Sequence, residues 1–175
     1  KLVTGVQTCA LPIWSVAIGH TRYSTTGSSI INNAQPLTVD CAKGRIAIGH
    51  NGNLTNAAEL RDRLEAQGSI FQTTVDSEII LHLLAQPSLN GRDSALINTV
   101  RSIEGAYSLV ILTERELIGV RDPHGFRPLS LGKLGDAWVL ASETCAFDLI
   151  QAEFVRDLDP GEIVIIDDQG VHSIQ

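Results

Sequence analysis

The stretch IAIGHNGNLTNAAELRDRL, residues 46–64, joins an apolar β-rich run, a polar interruption and a helical pattern. Arg45–Gly49 reads as a strand that stops at Gly-His. Asn-Gly between strands is ordinarily a two-residue hairpin turn. Here the residues after Gly52 do not alternate as a returning strand. Leu60 and Leu64 instead share one face of a helix predicted over 56–67, with Gly68 as its stop. The turn therefore does not reverse the chain, and Asn51 and Gly52 need another role. Glycine lets its own N–H approach a ligand closely, and the Asn amide donates beside it. Two adjacent donors aimed at one point suit a developing oxyanion.

The pattern has an echo upstream. VAIGH at 16–20 repeats IAIGH at 46–50, so Val16–Gly19 also reads as a strand, here handing over to TRYSTTGSS. A guanidinium at Arg22 offers a planar fork for a carboxylate, and the hydroxyls beside it can complete the grip. Farther on, TTVDSEIILHLL sets Asp76 and Ser77 before an apolar helix predicted over 77–86, where N-capping is the default role for one of them. A carboxylate held there can also receive an ammonium group. Arg22 and Asp76 together complement the zwitterionic end of an amino acid. His20 and His50 read as structural strand-end residues, because no third ligand stands at fitting spacing and no H-x-x-x-H occurs.

Further strands are predicted at 106–113, 117–120, 129–131, 138–141 and 162–166, with helices at 93–103 and 144–151. Short turns join the late strands, which favours antiparallel pairing in an α+β layered domain. The chain has 175 residues, 43% of them hydrophobic and 19% charged, enough for one core. Its net charge of −7 and the absence of Lys/Arg runs argue against nucleic acid or anionic membrane as partner. No apolar run reaches the roughly 18 residues a bilayer span needs. Cys9, Cys41 and Cys145 form neither a C-x-x-C pair nor an even set, which points to a reducing, cytoplasmic setting. Cys41 and Cys145 are expected to be inert core thiols. Asp167–Asp168, DPGE at 159–162 and RDPHG at 121–125 read as turns, Arg121 and Arg127 receive no catalytic role, and Glu143 is expected as a cap or a buried partner.

Taken in order, GHTRYSTTG, NAQP, GHNGNL, DSE, EGAYSLV, RDPHGFRPLSLG and ASET resemble the glutaminase domain of the amidophosphoribosyltransferase family, over 15–175. GHTR, HNG and D-[ST]-E resemble class II glutamine amidotransferases in general, while RDPHGFRPL and SETCAFD favour the purine branch. The resemblance implies an N-terminal-nucleophile hydrolase fold, an αββα sandwich of antiparallel sheets, here N-terminally truncated. It implies that an N-terminal cysteine attacks the glutamine side-chain amide, with its own α-amino group as base, and that a thioester then releases glutamate. In that scheme Asn51 and Gly52 stabilise the oxyanion, Arg22 and Thr25 hold the substrate α-carboxylate, and Asp76 holds its α-amino group. The ammonia would serve a phosphoribosyltransferase domain using phosphoribosyl pyrophosphate and magnesium to make phosphoribosylamine. That domain, any iron–sulfur cluster and their ligands would lie outside this chain, whose parent is implied to be a homo-oligomer. No cofactor is expected within residues 14–175. Two alternatives are the glutaminase domain of another class II amidotransferase, such as glucosamine-phosphate synthase, and a non-catalytic glutamine-binding module.

Cys9 does not fit the nucleophile's place. Eight residues precede it, Cys-Ala-Leu-Pro replaces the Cys-Gly-hydrophobic start of the family, and Pro12 would spoil a central strand. The peptide VTGVQTCALPI, Val3 to Ile13, equals a translation of a sequence resembling the reverse complement of a short-read sequencing adapter. Residues 1–13 are therefore expected to be an assembly artefact, with 14–175 a partial glutaminase domain. Unbroken read coverage across codon 14 would overturn that expectation. A chain without its nucleophile is expected to be inactive.

Overall fold

The structure is a computed structural model that describes residues 16–21, 31–87 and 92–175. Its largest element is a six-stranded antiparallel sheet in the order β1-β2-β3-β4-β8-β9, made of β1 (Leu37–Cys41), β2 (Gly44–Leu54), β3 (Gly105–Leu112), β4 (Leu117–Arg121), β8 (Ile163–Asp167) and β9 (Gly170–Ile174). A three-stranded antiparallel sheet, in the order β6-β5-β7, is formed by β5 (Ser130–Leu134), β6 (Ala137–Ala141) and β7 (Glu153–Asp157). The helices are α1 (Ala57–Ala66), α2 (Ser77–Ala85), α3 (Arg92–Ser102) and α4 (Cys145–Ile150).

Side-chain alternation divides the large sheet into two faces. Ile46, Ile48, Leu109, Ile111, Ile118 and Val120 face the helices and join Leu60, Leu64, Ile79 and Ile80 in the main core. Helix α2 packs on β1 and β2, between α1 and α3. The opposite face carries Ala47, Leu112 and Leu117, and meets the small sheet through Leu140. Gly119 lies where β4 passes under Leu140; a Cβ there would stand 2.9 Å from Leu140 Cδ1 and press on the methyl groups that fill the space between the sheets. Helix α4 packs on β7 with Phe147 buried. The layering of helices, sheet and sheet, with antiparallel pairing throughout, agrees with the α+β sandwich expected.

Two strand expectations change. The segment 16–20 forms no strand; Ile18 and Val16 pack side chain first into the cluster of Ala47, Leu112 and Leu117 instead of joining a sheet edge. β2 does not stop at Gly49 but runs through His-Asn-Gly-Asn to Leu54, because β3 pairs with it all the way, Asn51 opposite Ser108 and Gly52 opposite Tyr107. Strands β1 and β7, five residues each and both carrying charged residues, were not expected. The return strand after Asp168 is present as β9, and Asp167 Oδ1 accepts from the N–H groups of Gln169 and Gly170 in that turn.

Candidate active site

β1 begins only at Leu37, opposite Ile48, leaving the next stretch of the β2 edge without a strand partner on that side. Side chains take the strand's place. Gln35 Oε1 accepts from the His50 N–H at 2.8 Å, and Asp76 Oδ2 accepts from the Leu54 N–H at 2.9 Å. Period-2 alternation directs the N–H of Gly52, midway between them, to the same vacated edge. Gly52 has φ +146°, and a Cβ built on it would stand 2.0 Å from Ala106 O and 2.7 Å from Tyr107 Cα. Only glycine fits, because the backbone of β3 already occupies that volume.

Asp76 precedes α2, but its side chain makes no capping hydrogen bond. Sequence reasoning expected a cap; the carboxylate is turned to β2, where Leu54 and His50 hold both oxygens, the latter through Nδ1 to Oδ1 at 3.3 Å. Burial works to raise the Asp76 pKa, yet the His50 ring and the N–H groups of Leu54 and Ser77 outweigh it and hold the group below its ordinary 3.8. The carboxylate therefore stays charged, and its remaining lone pairs can receive a cation. Ser77 Oγ, itself buried, accepts from Gln35 Nε2 at 3.1 Å and lies 3.2 Å from His50 Nδ1. Gln35, His50, Asp76 and Ser77 thus clamp the N-terminus of α2 to β2.

Gln35, His50 and Asp76 line a cleft of about 830 Å³ between the sheets. One wall is His20, Gly49, Asn51, Gly52 and Ser108; the other is Leu140–Glu143 with Cys145 and Ala146. Among the described lining residues Arg127 is the only arginine or lysine. It sits on a loop fixed from both ends. Asp122, fully buried, accepts from the N–H groups of His124, Phe126 and Arg127, and the Arg121 guanidinium donates to the carbonyls of Leu158, Gly125 and Arg127.

The structure thus brings Asn51, Gly52 and Asp76 to one cleft, as the sequence reading expected. Arg22, Thr25 and Cys9 lie outside the described residues, as do residues 1–13. Of the two cysteines expected in the core, Cys41 is half-buried and packs against the main cluster, whereas Cys145 is exposed at the start of α4, where Phe147 takes the core position. Glu143 is neither cap nor buried partner but an exposed cleft residue 3.5 Å from Cys145 Sγ. Gln35 and Ser108 were not singled out in the sequence, and Arg127, given no catalytic role there, lines the cleft. The period-2 alternation that places Leu109 and Ile111 in the core was the signal available for Ser108. Among the described residues no group of three or more His, Cys, Asp or Glu is placed to hold a metal ion.

A glutamine amidotransferase domain family matches residues 20–148. The chain is 47% identical over 158 residues to the amidophosphoribosyltransferase of Bacillus subtilis, covering 90% of this chain and 33% of that protein. It is likewise 47% identical over 157 residues to the chloroplastic amidophosphoribosyltransferase 2 of Arabidopsis thaliana, covering 89% of this chain and 28% of that one. Among solved structures it superposes with a TM-score of 0.85 on the glutamine phosphoribosylpyrophosphate amidotransferase from B. subtilis complexed with ADP and GMP, at 46% identity over 91% of this chain and 34% of that chain. The chain thus spans about a third of the length of these relatives. The match covers the described cleft from both sheets, and the chain belongs to the glutamine amidotransferase domain family.

Proposed function

We propose that this chain is the glutaminase part of an amidophosphoribosyltransferase, releasing ammonia from the glutamine side chain to make 5-phosphoribosylamine from phosphoribosyl pyrophosphate. The single observation that carries this reading is the convergence of Asn51, the side-chain-free Gly52 and the charged Asp76 on one cleft. In it, the α-ammonium of glutamine rests on Asp76 and its α-carboxylate on Arg22 and Thr25. That grip sets the direction of the side chain, so the carboxamide reaches Asn51 and Gly52. When a thiolate adds to the carboxamide carbon, charge moves to its oxygen; the Asn51 amide and the Gly52 N–H donate to it there. Collapse expels ammonia and leaves a thioester, which water opens to glutamate. Cys9 is not that thiolate in our reading, so this chain binds glutamine without cleaving it. Magnesium, any iron–sulfur cluster and the phosphoribosyl acceptor site belong to the rest of the parent, a cytoplasmic homo-oligomer.

Calorimetric titration tests the reading. Glutamine is expected to bind the chain with a 1:1 heat that Arg22→Ala and Asp76→Asn each reduce at least tenfold, while ammonia release stays at the buffer rate. Failure of the chain to bind glutamine overturns the site. Ammonia release abolished by Cys9→Ala overturns the exclusion of Cys9.

A further inference from the structure

Beside the oxyanion donors lies a hydroxyl that the scheme above leaves unused. Ser108 is 3% exposed, and its Oγ is closed off from solvent with no hydrogen-bond partner. Buried polar atoms in folded proteins are nearly always paired, and an orphan needs an explanation. Burying a hydroxyl unpaired is unfavourable, whereas alanine would fill the position without that cost. Two other side-chain atoms are orphaned in the same way, His50 Nε2 and Tyr107 OH. Tyr107 faces the helices, where burial and then the Asp122 charge push its pKa up to about 12. Ser108, one residue on, faces the opposite way, toward the cleft that it lines.

Its position relative to Asn51 makes the orphan specific. The two residues are direct cross-strand partners on β3 and β2, so their side chains stand side by side on the same face. Both line the cleft. An Asn side chain carries one acceptor and one NH₂ group, and as an oxyanion donor it must present the NH₂. A hydroxyl donating to Asn51 Oδ1 accepts only one of the two orientations. It would turn the oxygen toward β3 and leave Nδ2 for the ligand.

We propose that Ser108 is a positioning residue for Asn51: its Oγ–H donates to Asn51 Oδ1 when glutamine is bound, fixing the amide with Nδ2 aimed at the substrate carboxamide. This rests on the glutamine-binding reading given above. It goes beyond that reading in assigning Ser108 a role and Asn51 an orientation. Hydrogen bonds of this kind often tighten only with the ligand in place.

The test is a double-mutant cycle on the 175-residue chain, read by calorimetry with glutamine and with norvaline, which carries a methyl group in place of the carboxamide. Ser108→Ala is expected to weaken glutamine roughly fivefold and to leave norvaline unchanged. In the Asn51→Ala background, Ser108→Ala is expected to change glutamine affinity less than about 1.5-fold, since the residue it serves is gone. Ser108→Thr, which keeps the hydroxyl, should restore most of the affinity. The melting temperature of Ser108→Ala should not fall, which excludes loss of fold as the cause. Unchanged glutamine affinity in Ser108→Ala overturns the inference while leaving the glutamine site standing. So does an equal loss for norvaline, or a loss that persists without Asn51. If the unsubstituted chain binds no glutamine, the functional reading falls and the inference with it.

Discussion

The two ends of the sheet-to-sheet interface treat their polar groups in opposite ways. In the loop at 122–127 and the β7–β8 corner, polar atoms are saturated. Asp122 accepts from three N–H groups, and Glu162, only 2% exposed, takes both arms of the Arg156 guanidinium at 2.8 and 2.6 Å, the Ser173 hydroxyl and the Asp159 N–H. In the cleft, β3 carries the orphaned hydroxyl of Ser108, and β2 a glycine held against the neighbouring backbone. Saturation builds a rigid frame. At Ser108 the unfilled hydrogen-bonding capacity lies beside Asn51, where the proposed ligand would bind. The two carboxylates of the clamp and the corner make the contrast sharpest: Glu162 spends its oxygens on the fold, whereas Asp76 keeps charge facing the cleft.

Substitutions separate the two kinds of region, in descending order of effect on stability. Gly52→Ala forces a Cβ into the Ala106 carbonyl and should cost at least ~3 kcal/mol in urea unfolding. It is also expected to abolish glutamine binding. Asp122→Ala strands three partly buried loop N–H groups, with a loss of about 2 kcal/mol by the same measurement.

Glu162→Gln should cost about 2 kcal/mol at pH 7, and its effect depends on pH. Arg156 beside it holds the Glu162 carboxyl down to about 2, against an ordinary 4.5. A depressed carboxylate contributes its full stability above the unfolded pKa and loses it as pH falls toward the folded one. The difference between the parent chain and Glu162→Gln should therefore be constant above pH 4.5 and close between about 4.5 and 2. A difference that stays constant down to pH 2 would show that the Arg156 pair does not act through the Glu162 charge. Asp76→Asn keeps shape and the Leu54 acceptor, so its stability cost should stay near ~1 kcal/mol.

Much of this was legible in the chain because the informative residues are local. The Gly68 stop, with the Gly68 N–H bonded to Glu65 O at 2.9 Å, and Leu60 and Leu64 on one buried face, are read directly from period and punctuation. Asn51 and Gly52 were legible from the helix that follows them. What was not legible depends on pairing across distance. The strand character of His50–Asn53 comes from β3, more than fifty residues away in the chain, and contradicts its local turn signal. β1 and β7 are short strands that include Thr, Asp, Glu and Arg, which read as loop when no partner is visible. Cys145 looked like core because nothing in its neighbours revealed that α4 turns Phe147 inward and the thiol toward the cleft. The use of Asp76 against β2 likewise follows from the end of β1, a tertiary fact.

The most direct measurement is a paired one, on Asp76→Asn and Glu162→Gln at pH 7, recording glutamine affinity by calorimetry and stability by urea unfolding for each. The expected result is a crossover. Asp76→Asn should lose at least tenfold in affinity with stability within ~1 kcal/mol of the parent chain, because a charge contact to the ligand is gone. Glu162→Gln should lose stability and keep its affinity within about twofold. Glutamine binding by Asp76→Asn equal to that of the parent chain, or an equal loss of affinity in Glu162→Gln, would contradict the division of the molecule into a saturated frame and a receptive cleft.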